Sequence, residues 1–404
     1  MFEESLKSPP DVINIKTNKW LFLLTLTLMS MAGLVGSDVY LPTLPAIGVA
    51  LQRDPHAMQI TLSIYLFGLA VGQLFLGFLT DRYGRKKIVI IGMLVYLIAS
   101  LSCAFSINYY QLVFSRLIQS LGACSGLVIG RAIVGDLYSP KEASRVFSTI
   151  FPFVGMSPAI SPVIGGFLGH YFGWQMNFYF VALFAFTIIA LVHYTLPETM
   201  SPKKIQLLKF MLVFHTYIAI LFNKKFLLYA LAPCTAYIAY FAYIAQSPFI
   251  FYAHGFGEQQ IGFFYVTLSL SYVAGNLVGK KMLKFIEIDS IIKWGYIIFN
   301  TGSFSLLSSG FFTNSLLIMI ISISILTFGN GFLISFGTAR VVSSFSTSGG
   351  YASGLLGFFQ LGLAGLSSSL IGILSQNSIE KMGIYIVTVT LLGLFFNYIL
   401  KYKI

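Results

Sequence analysis

Long apolar runs separated by short polar connections set the pattern of this chain. In the first half they cover approximately Trp20–Leu44, Ile60–Leu79, Ile88–Phe105, Leu112–Ile133, Val146–Phe167 and Phe178–Leu196. The second half gives Phe226–Phe251, Ile261–Val278, Ile291–Phe312, Leu316–Ala339, Leu355–Leu374 and Ile384–Leu400. A run of about 18 apolar residues or more crosses a hydrocarbon core as a helix. The runs are continuously apolar rather than alternating, which argues against the strands of a barrel. A further stretch, Phe210–Phe222, is too short to span and is flanked by Lys209, Lys224 and Lys225; it predicts a helix lying in the interface.

Composition agrees. Hydrophobic residues make up 57% of the 404 residues and charged residues 9%, against about 25% charged in soluble domains. So few charges cannot cover a soluble surface of this size, and 39 Phe with 23 Tyr exclude a disordered chain. With both termini placed in the cytoplasm, all but three of the 25 basic residues fall on the inner face. The exceptions are Arg53 and Lys381 outside and Arg116 within the membrane. That imbalance is what the positive-inside rule demands, and it explains the net charge of +12 without nucleic acid. The expectation is an all-α membrane protein of twelve transmembrane helices in two six-helix bundles. Residues 1–197 form the first bundle, 198–224 a cytoplasmic linker with a short interfacial helix, and 225–404 the second bundle. Six plus six spans is the hydropathy of transporters built from repeated bundles, with the pathway between them.

Two ionisable groups sit well away from the membrane faces, Asp38 in the first span and Arg116 in the fourth. Each costs about 2.5–3.5 kcal/mol at a helix centre, so each is expected to face the bundle interior. At 1.5 Å per residue they lie at similar height, in the outer part of the membrane. An acid in an enclosed cavity can take up a proton and release it when a cation approaches, the minimum chemistry for proton coupling. The alternative is a permanent Asp38–Arg116 pair that locks two spans together. Pro42 and Pro45 predict a helix break just beyond Asp38. The fifth span carries Pro152, Pro158 and Pro162 with Gly155, Gly165 and Gly166, which predicts a bent helix with close backbone contacts, suited to a moving interface.

The loop after the second span reads Gly77-Phe-Leu-Thr-Asp81-Arg82-Tyr-Gly84-Arg85-Lys86-Lys87. It resembles the major facilitator superfamily signature G-x-L-x-D-R-x-G-R-K-x. The fourth span, Leu112-x-x-x-Arg116-x-x-Gln119-Ser120-x-Gly122-Ala123, is similar to the second signature of proton-coupled members, with Ser120 in place of glycine. Pro158-x-x-Ser161-Pro162-x-x-Gly165-Gly166 resembles the antiporter signature. Together with Ser37-Asp38-Val-Tyr40-Leu-Pro42, Arg131-Ala-Ile-Val-Gly-Asp136, Leu196-Pro-Glu198-Thr and Ser247-Pro248-Phe, the chain resembles the Bcr/CflA, bicyclomycin-resistance type of multidrug efflux transporter.

That resemblance implies a drug:proton antiporter of the bacterial inner membrane, working as a monomer by alternating access. It would need no cofactor beyond the proton gradient, and its partners would be a small amphipathic substrate, protons and the lipid bilayer. Carried over by position, Asp38 and Arg116 would serve proton coupling. Gly77, Asp81, Arg82, Gly84, Arg85 and Asp136 would form a cytoplasmic conformational switch, and Pro158, Pro162, Gly165 and Gly166 a hinge. Tyr40, Tyr65, Gln119, Tyr237, Tyr240 and Tyr243 are candidates for the substrate pocket, where aromatic faces stack on a lipophilic or cationic guest. The main rival is a dedicated exporter of one endogenous metabolite, such as a siderophore. Against an enzyme, the sequence holds no H-E-x-x-H, no G-x-S-x-G and no P-loop.

Overall fold

A computed structural model of the protein describes residues 19–199, 210–313, 315–345, 349–375 and 377–402. The first half contains α1 (Lys19–Asp38), α2 (Leu44–Ala50), α3 (Pro55–Tyr83), α4 (Arg85–Ala104), α5 (Tyr109–Leu137), α6 (Pro140–Phe172) and α7 (Gln175–Thr195). After α8 (Phe210–Leu221) come α9 (Lys224–Ala253), α10 (Glu258–Met282), α11 (Ile288–Phe312), α12 (Leu316–Ser343), α13 (Gly349–Ser375) and α14 (Ile379–Tyr402). Twelve of these have 20 residues or more, and each coincides with one apolar run of the sequence. Among the described residues eleven spans are long and apolar enough to cross a membrane. The remaining long helix, α11, has 25 residues; Asn300, Thr301 and its serines dilute its hydropathy without shortening it.

The helices outrun the apolar segments because caps, not hydropathy, decide where they end. Asp54 accepts the Ala57 amide at 2.7 Å to start α3, and Asn108 accepts that of Gln111 at 2.9 Å to start α5. At the start of α6 the Glu142 carboxylate takes both the Ser139 amide (3.1 Å) and hydroxyl (2.7 Å). As Pro42 predicts, α1 stops at Asp38 and a short 3₁₀ turn, Leu41–Thr43, leads into α2. By contrast α6 runs unbroken through Pro152, Pro158 and Pro162.

The two halves repeat one packing scheme. In the first, α5 lies against α1, α3 and α4, and α4 against α7; in the second, α12 lies against α9, α10 and α11, and α11 against α14. The halves meet through α3 with α13 and through α6 with α10. Small residues make that approach possible: a Cβ on Gly262 would strike the Pro162 carbonyl, one on Gly166 the Glu258 carbonyl, and one on Gly365 the Ser63 carbonyl. Gly165 likewise presses on the Val39 carbonyl just past α1. The short helix α8 is no span: its Tyr217 packs edge-on to Tyr351 of α13, and Ile220 is buried beside Phe226.

One end of the molecule carries the loops with Arg82–Lys87 and Lys280–Lys284, hereafter the basic end. At the opposite end the halves are closed. Gln59 Nε2 on α3 donates to Gln246 Oε1 (2.6 Å) and the Ala245 carbonyl (3.2 Å) on α9, and Gln246 donates on to Asn377 (2.8 Å). Toward the basic end Gly135 and Gly155 meet nothing within 4 Å, and Arg131, Phe151 and Phe153 are exposed. Arg131 lies within electrostatic reach of Tyr237 in the second half yet keeps accessible surface, so the space between the halves opens toward the basic end.

Candidate functional site

Arg116 is fully enclosed, with no accessible surface. Its guanidinium lies between two tyrosine rings, 4.1 Å from the Tyr40 centroid and 3.9 Å from that of Tyr65. Nη1 donates to the Gly36 carbonyl at 2.8 Å and to Gln119 Oε1 at 2.5 Å. Gln119 in turn donates to Ser100 Oγ at 2.8 Å, and the Tyr65 hydroxyl to the Gly33 carbonyl at 3.0 Å. Nε and Nη2 find no hydrogen-bond acceptor among the described residues and lie against the two rings. The arrangement clamps α5 to the last turns of α1, at the common height that helix rise predicts for Asp38 and Arg116.

Asp38 is close by but does not join it. Its Oδ1 accepts the Ser37 hydroxyl at 2.7 Å, and no ion pair links it to Arg116. The permanent lock is therefore not the state seen here. The carboxyl stands at the C-terminal end of α1, where the helix dipole repels negative charge. Its electrostatic neighbours include Arg116, Tyr65 and Tyr96 of the first half and Tyr237, Tyr240 and Tyr265 of the second. The acid thus lies within reach of both halves, while the base is hydrogen-bonded only within the first.

The aromatic candidates divide along the same line. Tyr40, Tyr65 and Gln119 are fully buried around Arg116, and Tyr243 is buried inside the second half; none offers a free face to a guest in this state. Tyr237 and Tyr240 are only partly buried and stand between the halves. Hydropathy cannot separate a ring in the core from one on a cavity wall, since both lie within apolar runs.

At the basic end Arg85 and Asp136 come together as the motif implies, with Nε 3.0 Å from Oδ2. Arg85 Nη1 also donates to Thr80, and Thr199 Oγ1 to Asp136 at 3.0 Å. Glu198 completes the cluster: its carboxylate accepts the backbone amides of Arg85 (2.9 Å) and Lys86 (3.2 Å), stabilising the N-terminus of α4. Gly84 turns the chain there at φ +95°, and a Cβ would meet the Glu198 carboxylate at 2.7 Å, so only glycine fits. Arg82 stays outside, exposed and 5.2 Å from the Tyr83 ring. Gly77 has open space around it, and the side chain of Asp81 lies outside the described residues. Pro158, Pro162, Gly165 and Gly166 gather where α6 crosses α10 and the end of α1.

Sequence reasoning missed a second ion pair. Arg340, at the end of α12, places Nε 3.0 Å from Asp289 Oδ1 and donates from Nη2 to Oδ2 at 3.2 Å, with the Tyr229 ring 4.8 Å away. Asp289 begins α11 as Arg85 begins α4, and Arg340 ends α12 as Asp136 ends α5. Each pair is 51 residues apart. The polarity is reversed, so a search for like residues in the two halves could not find it; the equal spacing was the available signal.

Comparison with known proteins accords with this architecture. The Major Facilitator Superfamily family model matches residues 23–372. A bicyclomycin resistance protein homolog of Haemophilus influenzae is 24% identical over 92% of this chain and 93% of its own length. Multidrug resistance protein MdtL of Shewanella oneidensis is 28% identical over 85% of this chain and 87% of its own. Among solved structures, a D-xylose–proton symporter shares the fold with a TM-score of 0.73 at 15% identity, covering 93% of this chain and 97% of that one. The chain belongs to the Major Facilitator Superfamily and is a multi-pass membrane transporter of small molecules, not an enzyme.

Proposed function

We propose that this transporter exports amphipathic drugs or toxic compounds across the bacterial inner membrane in exchange for protons. The observation that carries the reading is the split of charge: Arg116 is locked within the first half, while Asp38, bonded only to Ser37 among the described residues and with no ion partner there, lies within reach of tyrosines from both halves. A carboxyl so placed can hold a proton or neighbour a cationic guest, and each disfavours the other. In the state open at the basic end, the guest enters and displaces the proton. Reversal of the opening releases the guest opposite and readmits a proton there. The resistance proteins among its relatives support drugs as the cargo.

The basic loops support a cytoplasmic location of that end and of both termini. The halves, residues 1–197 and 225–404, would rock about the α3–α13 and α6–α10 contacts, with Arg85–Asp136 forming and breaking at the basic end. Acid, pathway and gates all belong to one chain, so a monomer suffices.

In proteoliposomes at defined pH, adding a lipophilic cation such as tetraphenylphosphonium should release protons from wild-type protein. Asp38→Asn should abolish that release while leaving the protein inserted and monodisperse. Undiminished release in this variant would sink the assignment. A growth screen of an efflux-deficient host against varied toxic compounds should show broad resistance; none, with altered secretion of one metabolite, would favour the dedicated exporter.

A further inference from the structure

Arg131 counts, by sequence, among the basic residues that orient the chain. Its placement suits another task. It lies on α5, fifteen positions beyond Arg116, about 22 Å along the helix at 1.5 Å per residue. Because α5 begins at the closed end, and side chains lean toward a helix's N-terminus, Arg131 points back from the basic end into the space between the halves. The side chain is exposed there, with no ion pair or hydrogen bond among the described residues. Its electrostatic neighbours are Cys124, two turns nearer the centre, and Tyr237 of the second half. Tyr237 also lies within electrostatic reach of Asp38. Acid, tyrosine and guanidinium thus succeed one another along the opening.

We propose that Arg131 receives an anionic group of the substrate, a carboxylate above all, so that the preferred cargo is an aromatic zwitterion with its amine toward Asp38. This rests on the exporter reading and narrows it. In the open state the guanidinium keeps surface accessible to water in the opening, although protein atoms crowd around it. Closure of the basic end must strip that water, and an unpaired charge then opposes closure. A carboxylate on the guest forms a charge-assisted, bidentate pair and removes the penalty. A purely cationic guest leaves Arg131 unpaired and closes the transporter less readily. The nearest acid on its own helix, Asp136, is engaged by Arg85 and Thr199, and Asp38 sits at the far end of the opening.

The test uses a matched probe pair, a fluoroquinolone with a free carboxylate and its methyl ester. Binding to the full chain in nanodiscs and counterflow in proteoliposomes are measured for both. Wild-type protein should favour the acid about tenfold or more. Arg131→Gln should lose that preference while binding the ester as before, and Arg131→Lys, which keeps the charge without the fork, should retain part of it. Equal affinity of wild type for acid and ester, a preference that survives Arg131→Gln, or no binding of either probe overturns the proposal. Should Arg131→Gln still release protons on ester binding in an Asp38-dependent way without any change in preference, this inference fails and the exporter reading stands. If neither probe releases protons through Asp38, the exporter reading fails with it.

Discussion

The two halves of the molecule share a packing plan and differ in where they keep charge. In the first, the deepest layer of α5 holds Arg116, clamped by Tyr40, Tyr65, Gly36 and Gln119. At the register set by the two ion pairs, Ile320 stands on α12 in its place, half-buried and apolar. The second half contributes tyrosines to the opening instead. On the proposed function, one bundle supplies the proton chemistry and the other the contact with a lipophilic guest. A repeat can keep its backbone scheme because packing depends on size and small-residue crossings. Its chemistry is free to diverge because, on the proposed function, one copy of a proton site suffices.

The sharpest break in the comparison is Arg116→Ala. It leaves the Gly36 carbonyl and the Gln119 side chain without their donor inside a dry layer, at about 1–3 kcal/mol for each, and opens a void between two rings. Transport in proteoliposomes should fall by roughly a hundredfold or more and the melting temperature should drop. Ile320→Ala on the other side should leave transport within about threefold, since no polar group loses a partner. Equal losses from the two substitutions would end the claim that charge chemistry belongs to one half.

Next come the ion pairs at the basic end, alike in spacing and opposite in polarity. Arg85 and Asp136 have side chains only 9% and 29% exposed, whereas Arg340 and Asp289 are 35% and 47% exposed. Removing Arg85 leaves the partly enclosed Asp136 without its cation; removing Arg340 leaves Asp289 mostly to water. Arg85→Ala should therefore slow transport by about tenfold, the equivalent of about 1.4 kcal/mol. Arg340→Ala should slow it by about twofold to threefold, within the range of exposed pairs. Rates measured at low and high salt sharpen the contrast, because the exposed pair is the one that salt screens.

Those expectations show what the sequence made legible. The twelve spans, the break after Asp38 and the Arg85–Asp136 contact follow from hydropathy, proline and a motif, each a local signal. The height match of Asp38 and Arg116 follows from helix rise alone. Their failure to pair does not, because it depends on which way each side chain leaves its helix. Neither does the fate of the tyrosines: Tyr40 and Tyr243 are sealed, Tyr237 and Tyr240 are not, and all four lie in or beside equally apolar segments. Glu198 was visible as part of a motif, but its role as a cap on α4 needs a contact spanning 113 residues.

The smallest effect separates the halves at a helix start. Ser139 and Glu142 cap α6, while the first turn of its counterpart α13 carries no acid. The bonds from the Ser139 hydroxyl and amide hold the Glu142 carboxyl below the usual carboxylate range. A depressed value means the cap is fully present above the ordinary carboxylate pKa and is lost as pH falls through the lowered one. Glu142→Gln should thus speed amide hydrogen exchange in the first turn of α6 at neutral pH. Relative to wild type, that difference should shrink as the sample is acidified, while exchange at the start of α13 stays unaffected by the substitution. A difference that persists unchanged into acid would mean that the carboxylate's charge has no part in the cap.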